Sequence, residues 1–341
     1  MKNNYLHIRL KSHLLIFSIS LLFYSNGYAV SFWGCFRAGV AETFVPGLGY
    51  ALTGQVDKAL LLGGSRWYMA DKYFDAAESD DYEEDPDKIY KSTDAASGKE
   101  ETRIYLNQDT WNANYYASLD TSLLFTTWGD LYQNGCEPNT KTYELMAAPL
   151  EFGHYYDNWM FWLPMLLVIA NYHYFSDYYE VNYYLERGLT EGDLKRDSLP
   201  KYYMVGVGEE MFFRGTIQAY FFEVMKDSWG MSAADSRHAS IFAASLVFAA
   251  AHTGAGFTAN AVQAFIFGVY EGYVYHPSLE EFDLTTAIAI HTWWDILVAY
   301  AILNNAEFHE DQEDVYGDSA QSGTKIYETT VFPLLTVAFR F

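Results

Sequence analysis

The sequence predicts an all-α chain: a polytopic membrane helical bundle of roughly six to eight membrane or re-entrant helices joined by acidic loops. Three observations predict it. Half of the 341 residues are apolar and 18% are aromatic, and the apolar residues gather in helix-period runs, several of them long enough to cross a bilayer. Tyr, Phe and Trp cluster at the ends of several runs, as interfacial aromatic belts do. The net charge of −23 falls mostly between the runs, so it describes loops. Such acidity argues against nucleic acid as a partner and against a polybasic anchor on anionic lipid. The expected partner is the lipid bilayer itself.

Residues 1–29 read as a signal peptide or an uncleaved anchor. Lys2, Arg9 and Lys11 form a basic start, His13 to Tyr24 an apolar core, and Gly27-Tyr28-Ala29 a small-residue end. Residues 30–150 form an N-terminal envelope region with helices and an acidic loop. Its two cysteines, Cys35 and Cys136, either pair in an oxidising compartment or stay buried as thiols. Pro46-Gly47-Leu48-Gly49, Gly54 and Lys58-Ala59 resemble the opening of a small bacterial envelope family of unknown function. These glycines permit close helix contact but weaken a continuous helix, which suggests a re-entrant segment over 40–53. Residues 75–87 carry a dense run of carboxylates whose spacing matches no EF-hand, so a solvated loop is expected. Tyr115 to Leu131 is a membrane or interfacial helix made impure by Asp120 and Asp130.

Trp159 to Phe175 is the cleanest apolar run, with Pro164 as a kink. The polar stretch Ser176 to Lys201 suits an amphipathic helix lying on the membrane. Next comes the run Tyr202 to Val224, which holds Glu209, Glu210 and Arg214. A charge at the centre of a membrane helix costs about 2.5–3.5 kcal/mol, so three unpaired would cost up to about 10. Glu210 and Arg214 are four apart, share a face and can pair. Glu209 points about 100° away and is a functional candidate. The competing reading is a soluble helix with a solvated salt bridge, which the flanking aromatic runs oppose.

Ala239 to His252 is rich in Ala and Ser, as closely packed membrane helices are, and places Phe248 and His252 on one face. Residues 258–275 make another span, with Glu271 near its end in an interfacial role. Thr285 to Leu303 carries His291 and Asp295, again four apart, and an intramembrane Asp needs a partner or a function. Residues 306–341 are an acidic tail and a short apolar end.

In order along the chain stand Glu209-Glu210-xxx-Arg214, Phe248-xxx-His252 and His291-xxx-Asp295. Together they resemble the CPBP family of intramembrane proteases, which includes CAAX prenyl endopeptidases and bacteriocin-processing or self-immunity proteins. The resemblance covers roughly residues 155–305, within a domain bounded at 151–305, and implies a helical membrane domain with its polar residues converging in a cavity. Amide hydrolysis needs an activated water, a general base and donors for the oxyanion. The family pattern carries the base and water-holding roles onto Glu209 and His252, and the oxyanion side onto His291 and Asp295. Asn is commoner than Asp at the last position. An ionised Asp295 cannot donate, so either it is protonated or it orients His291. Glu210, Arg214 and Phe248 are supporting residues.

Zinc is the alternative to metal-independent water activation, with Glu209, His252 and His291 as ligands. No local HExxH spacing supports it, and the expectation is no cofactor. The expected function is endopeptidase cleavage of a membrane-associated protein or peptide. The alternative is a non-catalytic membrane binding or immunity module that keeps the fold. Glu209→Gln separates the two. The expected location is the bacterial cell envelope, in the inner membrane with acidic loops toward the periplasm.

Overall fold

The structure is a computed structural model that describes residues 32–79, 89–93, 100–134, 136–186, 188–252, 259–312 and 324–325. The expected signal segment 1–29, most of the acidic loop and the apolar C-terminal end lie outside the described residues. The fold is mostly helical.

The N-terminal region begins with α1 (Phe32–Phe44) and α2 (Leu48–Leu52), then α3 (Val56–Lys58), a π segment (Ala59–Gly63) and α4 (Gly64–Ala77). The segment 40–53, expected to be re-entrant, consists of the end of α1, a tight turn and α2. Gly47 takes φ +83°, a left-handed conformation that glycine adopts freely, and a Cβ there would meet the Ala59 carbonyl oxygen at 2.7 Å. The Glu42 carboxylate closes the turn by accepting from the Gly47 and Gly49 amides at 2.7 and 2.9 Å. Arg66 bridges Glu42 and Asp120, and Lys58 Nζ lies 2.7 Å from Asp130. Asp130 also accepts the Tyr50 hydroxyl at 2.9 Å. Asp120, partly exposed, and the buried Asp130 are therefore both paired, as a buried charge such as Asp130 must be. Cys35 and Cys136 are joined in a disulfide, their Cα atoms 5.5 Å apart.

Helix α5 (Gln108–Gln133) is capped by Asn107, whose side chain accepts from the Thr110 amide. Ser122, Thr126 and Thr127 return their hydroxyls to carbonyls one turn back, so their polar groups are satisfied within the helix. That leaves a smooth buried face. Gly129 on this face and Gly208 of the helix Glu191–Phe212 let the two helices approach so closely that a Cβ would sit 2.5 Å from Met211 O and 2.4 Å from Ser122 O, respectively.

After α6 (Lys141–Ala147), a 3-10 turn (Ala148–Leu150) and α7 (Phe152–Tyr155) comes α8 (Trp159–Tyr178). The polar stretch that follows departs from expectation. It opens with a strand, β3 (Tyr179–Glu186), and not with a helix on the membrane. With β1 (Ile89–Thr93), β2 (Glu100–Leu106), β4 (Glu307–Gln312) and β5 (Thr324–Lys325) it makes a five-stranded sheet ordered β4-β3-β2-β1-β5. The β2–β3 and β3–β4 pairs are parallel; β1 pairs antiparallel with β2 and with β5. The all-α expectation is corrected accordingly. The cause is in the side chains. Tyr105 stacks on Tyr184, Tyr184 on His309, and Tyr183 on Phe308, and cross-strand aromatic pairs of this kind hold a sheet together.

Thr190 and Asp193 form a capping box that starts α9 (Glu191–Phe212). A π segment (Phe213–Gln218), α10 (Ala219–Glu223) and a second π segment (Val224–Ser228) continue it. Then come α11 (Ala233–Ala251), α12 (Ala259–Tyr275) and α13 (Leu284–Asn305). Helix α9 is the centre of the bundle. α5 covers one side, and on another Gly206 lies where a Cβ would meet the Thr292 Cα of α13 at 2.5 Å. The main core unites Val207, Met211, Ile288, Ala289, Ile290, Phe161 and Met165.

Among the described residues, one helix, Leu284–Asn305, is long and apolar enough to cross a membrane; the apolar part of α8, Trp159–Ala170, is shorter. Apolar side chains face outward on α8 (Trp159, Trp162, Leu166, Ile169), α11 (Phe242, Leu246) and α12 (Val262, Ile266).

Candidate active site

Three helices meet at the polar residues singled out in the sequence. Glu209 and Glu210 lie in the last turn of α9, and Arg214 follows in the π segment. Phe248 and His252 close α11. His291 and Asp295 lie on the inner face of α13. All are buried except His252, which is partly buried with its side chain 10% exposed. A π turn widens the helix by one residue and is frequent at functional sites. Here it carries Arg214.

The structure brings Glu209, His252 and His291 together. Glu209 Oε2 is 3.7 Å from the Nε2 atoms of both His252 and His291. These gaps are too long for direct hydrogen bonds. Each ring is held at its other nitrogen. His252 Nδ1 lies 2.7 Å from the Phe248 carbonyl, which only accepts, so Nδ1 donates. His291 Nδ1 lies 2.7 Å from Glu210 Oε1. Both imidazoles thus turn Nε2 toward Glu209.

Glu210 has two partners. Its second oxygen lies 3.2 Å from Arg214 Nε, the i, i+4 pair that the spacing suggests. Its first oxygen orients His291. The orienting role considered for Asp295 therefore falls to Glu210: Asp295 Oδ2 is 3.6 Å from His291 Nε2, beyond a hydrogen bond. Phe248 is the apolar hub. Its ring lies 4.3 Å from the His252 ring, 5.9 Å from the His291 ring and 4.8 Å from the Arg214 guanidinium carbon. A cation over an aromatic face is stabilised by the ring quadrupole.

Two residues of α12 complete the surroundings without having been assigned there from the sequence. The Phe267 ring packs edge-on to His291 at 5.2 Å. Glu271, expected at an interface, is fully buried instead. Its signal was present: a carboxylate inside an apolar helix invites the same question asked of Glu209.

The trio also bears on zinc. Two ligands of one tetrahedral zinc at 2.0–2.1 Å stand about 3.3 Å apart. The 3.7 Å gaps are wider, and among the described residues no group of three or more His, Cys, Asp or Glu is set to hold a metal ion. The donors stand wider apart than a regular tetrahedral zinc requires. They suit a water. With both histidines neutral and Glu209 ionised, three acceptors face one space, and a water donates to two of them. One further proton satisfies the third, and on His291 it makes a donor of Nε2.

Residues 198–297 match the family model described as Rce1-like: Type II CAAX prenyl endopeptidase Rce1-like. The match begins in α9 and ends in α13, and so includes every residue of the site. No curated protein and no solved structure matches the chain.

Proposed function

The chain carries an Rce1-like CAAX-protease domain at residues 198–297 and is a protease of a membrane-integral family; from that premise we propose that it is an endopeptidase cutting a membrane-associated protein or peptide. A water held between Glu209 and His252 is the nucleophile. Glu209 takes a proton from the water as its oxygen bonds to the scissile carbonyl carbon. His291, protonated on both nitrogens, keeps Nδ1–H on Glu210 and donates from Nε2 to the oxyanion. The C–N bond then breaks, and the proton on Glu209 passes to the leaving amine. Arg214 balances Glu210, and Phe248 keeps the pocket dry. Asp295 adds negative charge beside His291.

The observation that carries this reading is the convergence of Glu209 Oε2 on two Nε2 atoms, each with its Nδ1 anchored. The domain lies in the inner membrane of a bacterial envelope, with the acidic loops toward the periplasm. The test is cleavage of membrane-proximal peptides by purified protein in detergent, with Glu209→Gln and His252→Ala alongside and a strong chelator in half the samples. The expected result is loss of about 100- to 10,000-fold in kcat in Glu209→Gln, the usual contribution of a general base, with chelator without effect. Full activity in Glu209→Gln sinks the mechanism. Loss on chelation, restored by zinc, replaces it with a metal centre.

A further inference from the structure

Where α5 ends and α13 begins, the bundle opens into a cavity of about 660 Å³. Ligand pockets usually measure about 300–1,000 Å³. Residues of α6, α7, the turn after α12 and the start of α13 line it, with Gln133 from the end of α5. Its wall touches the element that carries Arg214. Gln133 Nε2 donates to the Gly215 carbonyl at 3.2 Å, and a Cβ on Gly215 would meet Gln133 Nε2 at 3.1 Å and Leu284 Cδ2 at 3.4 Å. Gly215 follows Arg214 in the π segment. Thr285, also in the wall, belongs to the helix that carries His291.

The charge of the wall is one-sided. Glu144, Glu151, Glu281 and Asp283 stand against one lysine, Lys141, and one histidine, His154. Asp283 is already committed: it caps α13 by accepting from the Thr286 amide at 2.9 Å, and it lies 3.1 Å from His154 Nε2. The other three carboxylates have no basic partner among the described residues. Glu144 and Glu281 accept from nearby hydroxyls, of Thr140 at 3.3 Å and of Ser278 at 3.1 Å. A concave wall with carboxylates in excess concentrates cations. Apolar side chains stand beside the same residues. Leu150 and Phe152 flank Glu151, and Leu279 and Phe282 lie next to Glu281, all about half exposed or more. Acidic and apolar surface interleaved in this way complements a chain that carries basic and apolar side chains together.

We infer that this cavity docks a basic, partly apolar segment of a peptide, and that Glu144, Glu151 and Glu281 select it. Identifying that peptide as the substrate rests on the protease reading. Asp283 stands about 12 Å of helix before His291, a span that an extended peptide covers in about four residues. The selected Lys or Arg therefore lies about four residues from the cut. The cavity takes no part in breaking the bond; it governs which peptide is held.

The test uses peptides identical except for Lys or Glu at positions about four residues on either side of the centre. Binding is read by fluorescence anisotropy in non-ionic detergent on Glu209→Gln protein, and cleavage is read with Glu209 intact. Each variant is used at a temperature where thermal unfolding shows it folded. The expected result is that the Lys peptide binds about tenfold or more tightly than the Glu peptide at low salt, with the preference shrinking as salt screens the exposed charges. Glu144→Gln, Glu151→Gln and Glu281→Gln should each raise Kd for the Lys peptide about twofold to fivefold. In cleavage the same variants should raise KM with kcat within about twofold, as lost uniform binding does. Glu281→Lys should shift the preference toward the Glu peptide. Asp227→Asn, at an exposed carboxylate outside the cavity, should leave the preference as it is. Spermidine, a polycation with no apolar side chains, should compete about tenfold or more weakly than the Lys peptide; equal potency makes this a site for free polycations and overturns the inference. Equal binding of the Lys and Glu peptides overturns it too, as does a preference that survives the three Gln substitutions combined. If no peptide is cut, the protease reading falls, while carboxylate-dependent binding still upholds the docking site. If peptides are cut without regard to their charge, the protease reading stands and this inference falls.

Discussion

Gly206→Ala tests whether the contact between α9 and α13 sets the geometry of the site. Gly206 lies one turn before Glu210 on the same face, and a Cβ there would sit 2.5 Å from Thr292 Cα, N and Oγ1. The obstructing atoms include backbone, which cannot swing away as a side chain tip can. An ordinary contact begins near 3.4 Å, so α13 must retreat by about 0.9 Å at this level. Thr292 is next to His291. Carried by the same shift, the 2.7 Å bond from His291 Nδ1 to Glu210 would open to about 3.6 Å, beyond a hydrogen bond. A misplacement of about 1 Å costs roughly 100-fold in rate, and overpacking costs about 1–3 kcal/mol in stability. The assay is kcat for peptide cleavage at a temperature where thermal unfolding shows the variant folded. Gly64→Ala is the control, because a Cβ there meets nothing within 4 Å. A folded Gly206→Ala with wild-type kcat would refute the argument that the glycine contact positions His291.

Two further predictions concern stability. The Cys35–Cys136 bond closes a separation of 101 residues, for which the chain-entropy model gives about 4.7 kcal/mol, so Cys35→Ser should lower the melting temperature, and added reductant should lower that of wild type but not that of the variant. His276, in the turn after α12, is buried against Phe222 and Phe282, and burial pushes its pKa from the ordinary 6.5 down to about 4. The unfolded chain then binds the extra proton first, so stability is full above about pH 6.5 and declines as pH falls toward about 4; His276→Phe should flatten the profile of melting temperature over that window, and an unchanged slope would exclude His276 as its source.

Much of the site was legible because helical spacing is a local property. Four residues apart means one face, whatever the neighbours, so Glu210 with Arg214, Phe248 with His252 and His291 with Asp295 could be grouped without a structure. The cost of charge inside an apolar run marked Glu209 in the same way. Other features had no local signature. The sheet is assembled from Tyr-rich pieces of segments far apart in the chain, each too short to outweigh the helical runs around it. Whether Cys35 meets Cys136 depends on α1 lying beside the end of α5.

What the sequence alone determined was the identity of the motif helices and the polar residues sharing each face, since both follow from a 3.6-residue repeat. The tertiary structure decided which faces meet. It gave His291 to Glu210 and not to Asp295, buried Glu271 within the site, and brought α5 and α13 against α9 through glycines. Those outcomes depend on distances between helices, and such distances are set by the size of side chains contributed from both partners.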